Sequence, residues 1–398
     1  MQNCLLKLTA QALLPPVAYN LTQRINSVLR FLLHCRSEMA QSYYRGTVLE
    51  DSSMKPRWRI FLECMAVSWL NGTYYLKNSV WQYFAYGIDR KGVRIHDYVF
   101  EYEFMTAKRT QIAARNETLH YAFMYKPACT AFIASLDLPV SRFLGHISNG
   151  FIFLQSSNNK KIENIEKGNG ENILVYISSH DVSWFIKPVG LCCGRGAFAL
   201  KSNGGNVKIN GRFLTEGEEL PIDAQETYVV ETCLEQCSEA AAMYPGSVNT
   251  LRIVTVLKDG KVDIYEAIWR IGCKGASVDN FGSGGIVLGI DGQGRCMKYG
   301  FREIKWGRIY ENHPDTGVRF EGYLCPLFKE ACALALRGHG LIHDGSIIAW
   351  DIALTKDGPV IVECNEGTFN STDMGQMATG PGRAKFEHYH GRHARKHS

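Results

Sequence analysis

Two apolar segments near the C-terminal end of the chain each carry an acidic residue, and this feature restricts the fold more than any other. Both segments, Ala349–Leu354 and Pro359–Cys364, are rich in Ile, Val and Leu and are predicted strands. Lys356-Asp357-Gly358, just before the second segment, fits a three-residue hairpin loop in which glycine supplies the positive φ. If the strands pair across this loop, Asp351 lies opposite Glu363. Asn365 then shares the face of Glu363, because side chains alternate along a strand.

Opposed carboxylates on a half-buried sheet need an explanation, because like charges destabilise the pairing and an unpaired buried carboxylate is costly. A divalent cation removes the conflict. The oxygen donors of Asp351, Glu363 and Asn365 suit Mg²⁺, which takes few protein oxygens and completes its octahedron with water and phosphate. The alternative is the solvent-facing polar side of an ordinary hairpin, and a one-residue bulge would change the pairing. From the residues alone, both interpretations stay open.

The composition is that of an ordinary globular protein: 398 residues, 45% hydrophobic and 21% charged, long enough for two or three domains. A net charge of +5 does not indicate a nucleic-acid-binding protein, although it suits anionic ligands such as nucleotides. The thirteen cysteines form neither a disulfide framework nor a zinc motif, which predicts a cytoplasmic location. No segment is apolar for long enough to predict a membrane span, and Asn26–Cys35 is predicted to be amphipathic and core-facing.

The chain changes character after its first third. Residues 1–120 are predicted to be mainly helical, whereas short strands separated by glycines follow from Tyr125 onward. Strands mixed with isolated helices predict an α+β fold instead of regular βαβ units. A basic, histidine-rich tail, 386–398, is predicted to be solvated. The predicted strands are FIFLQ, NILVYI, WFIKPV and TYVVETCL, the predicted hairpins turn at Asn210-Gly211 and Asp259-Gly260, and a helix is predicted from Cys325 to Arg337, ended by Gly338 and Gly340.

A glycine-rich loop follows Lys187, which ends an apolar strand. Gly190, Gly194 and Gly196 would let backbone amides approach phosphate oxygens, and the lysine adds a point charge. The loop is not a Walker A sequence, because no Gly-Lys-Ser/Thr follows. A second glycine-rich stretch, Gly282–Gly294, does not follow a strand and open a helix, so a dinucleotide-binding fold is not indicated. The alternative for either loop is a plain connection.

Two arginines, Arg252 and Arg270, lie inside predicted strands. The two-residue period directs Arg252 away from Leu251 and Ile253, towards whatever cleft the sheet lines. A guanidinium group matches two oxygens of phosphate or carboxylate. Each arginine is therefore a candidate phosphate clamp, and a structural ion pair is the alternative for each.

A phosphate loop, cationic clamps and an acidic metal site in this order resemble the ATP-grasp superfamily. The segments YPGSVNTLRIVT and GLIHDGSIIAWDIALTKDGPVIVECN are similar to its sugar-transfer-associated branch, and the resemblance covers Tyr125 to Gln376. It implies an ATP-grasp fold of two α+β subdomains that grip ATP, preceded by the mainly helical region. The implied small subdomain, with lid loop and hinge, is 121–240, and the large subdomain, with the metal and substrate sites, is 241–385.

The resemblance also implies roles for individual residues whose motifs match the family pattern. The implied nucleotide contacts are Lys126, Lys187, the lid-loop residues Gly190, Gly194, Arg195 and Gly196, the hinge residues Glu231, Cys233 and Leu234, and Glu239 as a candidate for the ribose. The implied catalytic cations are Arg252, Arg270 and Lys187, the implied metal ligands are Asp351, Glu363 and Asn365, and the candidate substrate contacts are Asn249, Asn280 and Ser283. Two positions depart from the pattern: Gln236-Cys237 stands where a Gln-His pair is usual, and EGTFNSTDMGQ follows Asn365.

The function implied by the resemblance is that of an ATP- and Mg²⁺-dependent carboxylate-amine ligase that forms an amide through an acyl phosphate. The expected partners are a small-molecule or sugar-linked carboxylate, such as a hexuronic acid, and an amine, with no nucleic acid. Work in surface-polysaccharide biosynthesis, with peripheral association to the glycan assembly machinery, follows from the branch name. The alternatives are a kinase-like phosphotransferase acting on a sugar hydroxyl and a non-catalytic nucleotide-binding protein.

Overall fold

A computed structural model of the chain describes most of the residues after position 124 and parts of the region before it. The described residues are 21–33, 54–71, 80–100, 103–104, 123, 125–148, 151–154, 163–164, 176–177, 180–190, 194–215, 217–223, 225–302, 309–343, 347–366 and 370–390.

Helices and strands are both present, as the sequence patterns predict. The α-helices are α1 (21–33), α2 (Arg57–Asn71), α3 (Trp81–Ala85), α4 (Lys126–Ser135), α5 (Ser238–Met243), α6 (Phe328–Ile342), α7 (Asn370–Thr379) and α8 (Arg383–His390). The strands are β1 (Phe143–Ser148), β2 (Phe151–Leu154), β3 (Glu163–Asn164), β4 (Val182–Pro188), β5 (Phe198–Asn203), β6 (Asn206–Ile209), β7 (Arg212–Phe213), β8 (Tyr228–Thr232), β9 (Thr250–Lys258), β10 (Lys261–Ile271), β11 (Ile286–Ile290), β12 (Cys296–Phe301), β13 (Ile309–Tyr310), β14 (Ile347–Thr355) and β15 (Gly358–Glu366).

The chain divides into two compact units. One consists of Met1–Arg115, Ile304–Ile309 and Phe369–Ser398, and the other of Asn116–Glu303 and Tyr310–Thr368. The C-terminal helices α7 and α8 therefore belong with the N-terminal helices, and the second unit contains both sheets except for Ile309 of β13. Of the helices that the structure describes, none has the length and apolar character needed to cross a membrane.

Buried polar contacts fix α7 within the first unit. Asp373 on α7 accepts hydrogen bonds from Gln82 Nε2, at 2.6 Å, and from the Tyr86 hydroxyl. The side chain of Gln376 bonds both the amide and the carbonyl of Val99, at 2.9 and 2.8 Å. Burial raises the pKa of Asp373 to about 7, although both hydrogen bonds act in the opposite direction.

Helix α1 corrects the prediction that the leucine-rich segment Asn26–Cys35 faces the core. The described part of the segment packs through its other face, where Phe31 contacts Phe61 at 5.5 Å between ring centroids, and Arg24 lies 5.8 Å from the Trp69 ring centroid. Because these contacts set the rotation of α1, its apolar arc points outward. The exposed apolar side chains of α1 are Leu21, Ile25, Leu29, Leu32 and Leu33.

The first sheet of the second unit has eight strands, in the order β3-β2-β1-β8-β4-β5-β6-β7. All of the described pairings in it are antiparallel. Three of the four predicted strands lie here, and the hairpin at Asn210-Gly211 is confirmed, with φ of 50° and 82°. The prediction of a strand at NILVYI is wrong for Tyr176 and Ile177, which are helical, and its other residues lie outside the described ones. Tyr176 stacks on Trp184 and on His180, which holds this segment against the sheet.

The second sheet has seven strands, in the order β13-β12-β11-β10-β9-β14-β15. The predicted hairpin at Asp259-Gly260 joins β9 to β10 and is confirmed, with φ of 50° and 76°. Alternate residues of the central strands fill one core, together with α4, α5 and α6. The face that packs into this core includes Leu251, Trp269 and Trp350, all 0% exposed. The residues that alternate with them along each strand therefore lie on the opposite face of the sheet.

The acidic hairpin reaches its predicted pairing by an unpredicted route. Thr355 pairs with Gly358, so the turn is the two residues between them and not the three that were expected, although Gly358 has the expected positive φ, 113°. A register shift follows between Asp351 and Ile352, because Val362 is an extra residue on β15. The shorter turn and the bulge offset one another, and Asp351 pairs with Glu363 as predicted.

The prediction of a helix from Cys325 to Arg337 is wrong at both ends, as α6 shows. It begins at Phe328 instead of Cys325 and continues through Gly338 and Gly340 to Ile342. Gly338 does not end the helix, because its role is packing: a Cβ there would lie 2.7 Å from Cη2 of Trp350. The missing side chain lets α6 lie close to β14, the strand that carries Asp351.

Replacing Gly338 by Ala is expected to lower the free energy of unfolding by about 1–3 kcal/mol, because the added methyl overpacks the contact with Trp350. Gly340→Ala is the matched control, since this helical glycine is exposed and a Cβ added there would meet no atom within 4 Å. It should be neutral or stabilising by up to about 1 kcal/mol. Urea denaturation measures both, and equal stability of the two variants would contradict the packing role.

Asp373→Asn is expected to flatten the pH dependence of stability. The folded-state pKa of Asp373, about 7, lies above the ordinary value of 3.8, so the native state holds a proton that the unfolded state has lost. Stability should therefore fall as the pH rises from 4 to 7, by at most about 1.4 kcal/mol per pH unit. Urea denaturation across this range should show a smaller slope in Asp373→Asn, whereas Asp263→Asn, at an exposed site, should keep the wild-type slope.

Candidate functional site

The polar face of the seven-stranded sheet brings together most of the predicted catalytic and metal-binding residues. In register, Arg252 on β9 pairs with Asp351 on β14, and Asp351 pairs with Glu363 on β15. Arg270 lies on the same face, because its neighbour two residues earlier, Ile268, pairs with Arg252. Four adjacent strands thus place two guanidinium groups and two carboxylates side by side, opposite the packed apolar face.

Arg252 and Asp351 form the closest contact of this face. Nε and Nη2 of Arg252 each donate to one carboxylate oxygen of Asp351, both at 2.6 Å. Asp351 is 3% exposed, and burial alone would raise its pKa, but the charges and hydrogen bonds of Arg252 and Arg270 outweigh burial and lower it. The carboxylate is therefore ionised, and the predicted clamp residue Arg252 is also part of an ion pair.

Arg270 joins this pair to a third carboxylate. Its Nη2 lies 3.0 Å from Oδ2 of Asp351, and its Nε lies 3.6 Å from Oδ2 of Asp279. Nε and Nη2 also donate to Oγ1 of Thr250, at 3.1 and 2.6 Å. Burial raises the pKa of Asp279, against the influence of Arg270 and Thr250. Arg270 is thus held by three side chains on the polar face.

The chemistry of the donors decides how well the predicted metal ligands fit a cation. Glu363 and Asn365 are both half-buried and lie two residues apart on one face of β15, so their oxygens suit a hard cation. Asp351 stands beside them, but both of its oxygens are bonded to arginines. Among the described residues, no three His, Cys, Asp or Glu side chains are grouped to hold a metal. The donors fit Mg²⁺ through Glu363 and Asn365, and Asp351 would join by releasing an arginine bond.

Lys187 and Glu231 form a second buried ion pair, on the eight-stranded sheet. Lys187 pairs in register with Val229, so Glu231, two residues later, lies on the same face of β8. Nζ of Lys187 is 2.8 Å from Oε1 of Glu231, and the two residues are 8% and 2% exposed. The predicted phosphate lysine and the predicted adenine-contacting acid are therefore partners.

The lid loop packs against another predicted site residue. Gly194 and Gly196 both have a φ of 70°, which favours glycine, and Arg195 between them is exposed. A Cβ on Gly194 would lie 2.7 Å from Nδ2 of Asn280, so the loop and this candidate substrate contact touch. Gly190 is exposed, while Leu191 to Cys193 lie outside the described residues.

The predicted hinge after β8 has one backbone group engaged and another open. The amide of Cys233 donates to the carbonyl of Ser183 at 3.1 Å. The amide of Leu234 forms no backbone hydrogen bond within the described chain. This pattern leaves the hinge backbone at Leu234 able to receive an adenine edge. Glu239, the candidate ribose contact, is exposed and accepts a hydrogen bond from Ser238.

The side chain of Asn249 forms hydrogen bonds within the protein. It is 0% exposed, and its Nδ2 donates to the carbonyls of Ala240 and Tyr244 at 2.9 and 2.8 Å. Its Oδ1 accepts from the amide of Gly272 at 3.1 Å. Gln236, which precedes the Cys237 that stands in place of the usual His, braces the same loop through the carbonyl of Ser247. A substrate role for Asn249 would require these bonds to be exchanged.

The remaining predicted residues lie at the start of α4 and in the second glycine-rich loop. Lys126 is half-buried and is the first residue of α4. Cys129 holds this helix to β15, because its Sγ lies 3.0 Å from Sγ of Cys364. In the sequence of β15, Cys364 stands between Glu363 and Asn365, the two predicted metal ligands of that strand. Asn280 and Ser283 are also half-buried: Asn280 precedes a short 3-10 turn at Phe281–Ser283, and Ser283 is its last residue.

Thr250 and Asp279 are site residues that the sequence analysis did not identify. Thr250 stands two residues before Arg252, so strand alternation alone places it on the polar face. Asp279 immediately precedes Asn280, but its approach to Thr250 depends on how the intervening loop folds, and no periodic signal encodes that. Of the two, Thr250 could have been found by extending the argument that was used for Arg252.

Residues 128–388, about two thirds of the chain, match the protein family described as sugar-transfer associated ATP-grasp. The chain belongs to this family. Membership confirms the family resemblance and the ATP-grasp fold with two antiparallel sheets. Comparison with curated proteins finds no significant relative.

Solved structures similar to this ATP-grasp chain include three synthetases or ligases of low sequence identity. An L-amino acid ligase from Bacillus licheniformis has 12% identity and a TM-score of 0.33, covering 61% of this chain and 40% of that one. An ADP complex of N5-carboxyaminoimidazole ribonucleotide synthetase has 14% identity and a TM-score of 0.37, covering 66% and 52%. D-alanyl-alanine synthetase A from Vibrio cholerae has 13% identity and a TM-score of 0.33, covering 69% and 62%. The match therefore spans between two fifths and three fifths of these proteins.

Lys187→Met is expected to lower the free energy of unfolding by about 3–5 kcal/mol, because Glu231 stays buried without its cation. Adding Glu231→Gln removes the stranded charge and should restore most of that stability. Urea denaturation measures both variants. Binding of a fluorescent ATP analogue should stay weak in the double variant, because the predicted phosphate contact of Lys187 is not restored. Wild-type stability in Lys187→Met would contradict the importance of the pair, and wild-type nucleotide affinity in the double variant would contradict the phosphate role.

Proposed function

We propose that this ATP-grasp protein is an ATP-dependent carboxylate-amine ligase that forms an amide through an acyl phosphate. The observation that carries the proposal is the polar face of the seven-stranded sheet, where Arg252, Arg270 and Asp351 adjoin the oxygen donors Glu363 and Asn365. Such a face offers cations for phosphate oxygens and hard donors for a divalent ion in one place. Family membership supports ATP as the nucleotide.

The chemistry asks the protein for positioning and charge, and not for a covalent nucleophile. A carboxylate is a poor acylating agent because its leaving group would be oxide. Transfer of the γ-phosphoryl group to the carboxylate gives an acyl phosphate, from which an amine displaces phosphate to leave an amide. Phosphoryl transfer depends mainly on alignment and on neutralising charge. No Ser, Cys or His nucleophile is therefore assigned.

Each group of residues has a part in this scheme. The hinge backbone at Cys233 and Leu234 receives adenine, with Glu231 beside it, and Glu239 is the ribose candidate. Lys126, Lys187 and the lid loop 190–196 contact the phosphates. Bound Mg²⁺, held by Glu363 and Asn365 with Asp351, would neutralise phosphate charge.

The positive charges of Arg270 and Arg252 stabilise the negative charge that develops on the transferred phosphoryl group. The hydrogen bonds between Arg252 and Asp351 orient the guanidinium group of Arg252 beside the anion. Asn280, which lies beside the lid loop at Gly194, and the nearby Ser283 would orient the acceptor. Asn249 braces the loop that precedes β9.

The proposed substrates are a hexuronic acid or related sugar-linked carboxylate and an amino compound. The support is the family description, which associates these ATP-grasp proteins with sugar transfer. A role in surface-polysaccharide biosynthesis, a cytoplasmic location and peripheral association with the glycan assembly machinery belong to the same proposal. Phosphorylation of a sugar hydroxyl would use the same nucleotide face, and the products of the reaction distinguish it from the ligase.

Release of ADP should require both a carboxylate and an amine when the protein is incubated with Mg-ATP and mixed pools of hexuronic acids and amino compounds. Glu363→Gln should lower this rate by about 100-fold or more, because a metal-ligand charge is lost at the transferring phosphate. Glu321→Gln, at a surface ion pair, is the matched control and should keep the rate.

Other products would exclude the ligase. Formation of AMP would indicate adenylation, and a phosphorylated product made without an amine would indicate a phosphotransferase. An unchanged rate in Glu363→Gln, with an unchanged circular dichroism spectrum, would remove the metal assignment.

A further inference from the structure

We propose that Thr250 and Asp279 are positioning residues that hold the guanidinium group of Arg270 in one orientation for the transferred phosphoryl group. This inference deepens the proposed function and rests on it. It concerns two residues outside the set of phosphate, metal and hinge residues that the family pattern supplies. The three side chains come from the start of β9, the end of β10 and the loop after β10.

The hydrogen bonds at Thr250 can run in only one direction. Arginine has no acceptor, so Oγ1 of Thr250 must accept the bonds from Nε and Nη2 of Arg270, at 3.1 and 2.6 Å. The single hydroxyl proton is then left for Oδ2 of Asp279, which also accepts from the amide of Thr250 at 2.9 Å. The hydrogen bonds therefore run in one direction only: Arg270 donates to Thr250, and Thr250 donates to Asp279.

Asp279 supplies the charge at the far end of this chain. It is 6% exposed, and its Oδ2 lies 3.6 Å from Nε of Arg270. A buried carboxylate keeps its charge only with a cation and hydrogen-bond donors close by, and here both are present. Asp279 thus lies at Nε of Arg270, whereas Asp351 contacts Nη2 at 3.0 Å.

The second glycine-rich loop fixes the backbone of Asp279. A Cβ on Gly285 would lie 2.1 Å from the carbonyl oxygen of Asp279, so only glycine allows the loop to close. The amide of Gly285 donates to the carbonyl of Asn280 at 2.9 Å, and Gly284 adopts a φ of 99°. The glycines of this loop therefore have a structural role that does not involve dinucleotide binding: they hold the backbone of Asp279 in place.

The contacts select which nitrogen of Arg270 is presented. Nε and Nη2 are engaged by Thr250 and Asp351, whereas Nη1 has no hydrogen-bond partner within the described parts of the chain. Arg270 is 5% exposed, so its rotation is restricted by packing as well as by these bonds. A preorganised donor stabilises developing charge without reorganisation at the moment of reaction. Losing the Thr250 contact should therefore act on turnover more than on substrate affinity.

The test compares Thr250→Val, which removes only the hydroxyl at constant shape, with Thr250→Ser, which keeps it. In the ADP-release assay, Thr250→Val should lower kcat by about 10–100-fold and change KM for ATP by less than about threefold, because the lost contact acts in the transition state. Thr250→Ser should stay within about threefold of wild type. Asp279→Asn, which keeps an acceptor but removes the charge, should also lower kcat. Thermal denaturation of every variant separates these effects from unfolding.

A second readout keeps this inference distinct from the ligase proposal. Titration calorimetry with Mg and a non-hydrolysable ATP analogue should show nearly equal affinity for wild type and Thr250→Val if the effect is on turnover. Equal kcat in folded Thr250→Val and wild type would overturn the positioning role while leaving the ligase intact. A wild type that binds the analogue but releases no ADP with any acid and amine would overturn the ligase. In that case, loss of a defined Arg270 side-chain NMR signal in Thr250→Val but not in Thr250→Ser decides the positioning role, and its retention overturns it.

Discussion

The ion pair of Arg252 and Asp351 is the interaction on which the polar face of the large sheet depends. Its two hydrogen bonds, both 2.6 Å long, join neighbouring strands in register at a position where Asp351 is 3% exposed. Removing either partner would leave a buried charge, which is far more costly than an exposed one. The pair therefore fixes the pairing of β9 with β14, and the positions of Arg270 and Glu363 follow from that pairing.

The same physical device recurs on the other sheet. Lys187, predicted to meet phosphate, is paired with Glu231 in the way that Arg252 is paired with Asp351. In both cases a cation suited to an anionic ligand is kept in a buried position by a carboxylate. The cations are thus ordered before a ligand arrives, and part of the ordering cost is met during folding. Clamp and ion pair are therefore not exclusive alternatives for Arg252: it forms an ion pair in the structure, and in the proposed function it also contacts the phosphate.

Local sequence signals predicted much of this fold. The Asn210-Gly211 and Asp259-Gly260 turns have the positive φ values that such dipeptides favour, and strand alternation correctly separated Arg252 from Leu251 and Ile253. Features that depend on distant contacts were not predictable. Gly338 continues a helix because Trp350 needs the space, and α1 exposes its leucines because Phe31 and Arg24 set its rotation. The bulge at Val362 and the two-residue turn also left no pattern, although together they preserved the predicted pair.

The candidate site residues came from family motifs, and the structure shows contacts for some of them that the motifs do not indicate. Asn249 looked polar and available beside Arg252, yet it is fully buried and braces a loop. Asp279 was missed because a folded glycine-rich loop, and not sequence spacing, brings it to Thr250. Alternation along a strand identifies which side chains share a face of the sheet. Loop geometry decides which of those side chains already have hydrogen-bond partners within the protein.

The most direct measurement is a crystal structure with Mg²⁺ and a non-hydrolysable ATP analogue. The account predicts the triphosphate over the polar face of β9, β10, β14 and β15, with the metal on Glu363 and Asn365 and adenine at the hinge beside Leu234. A nucleotide bound elsewhere, with Glu363 and Asn365 facing solvent and without metal, would contradict it.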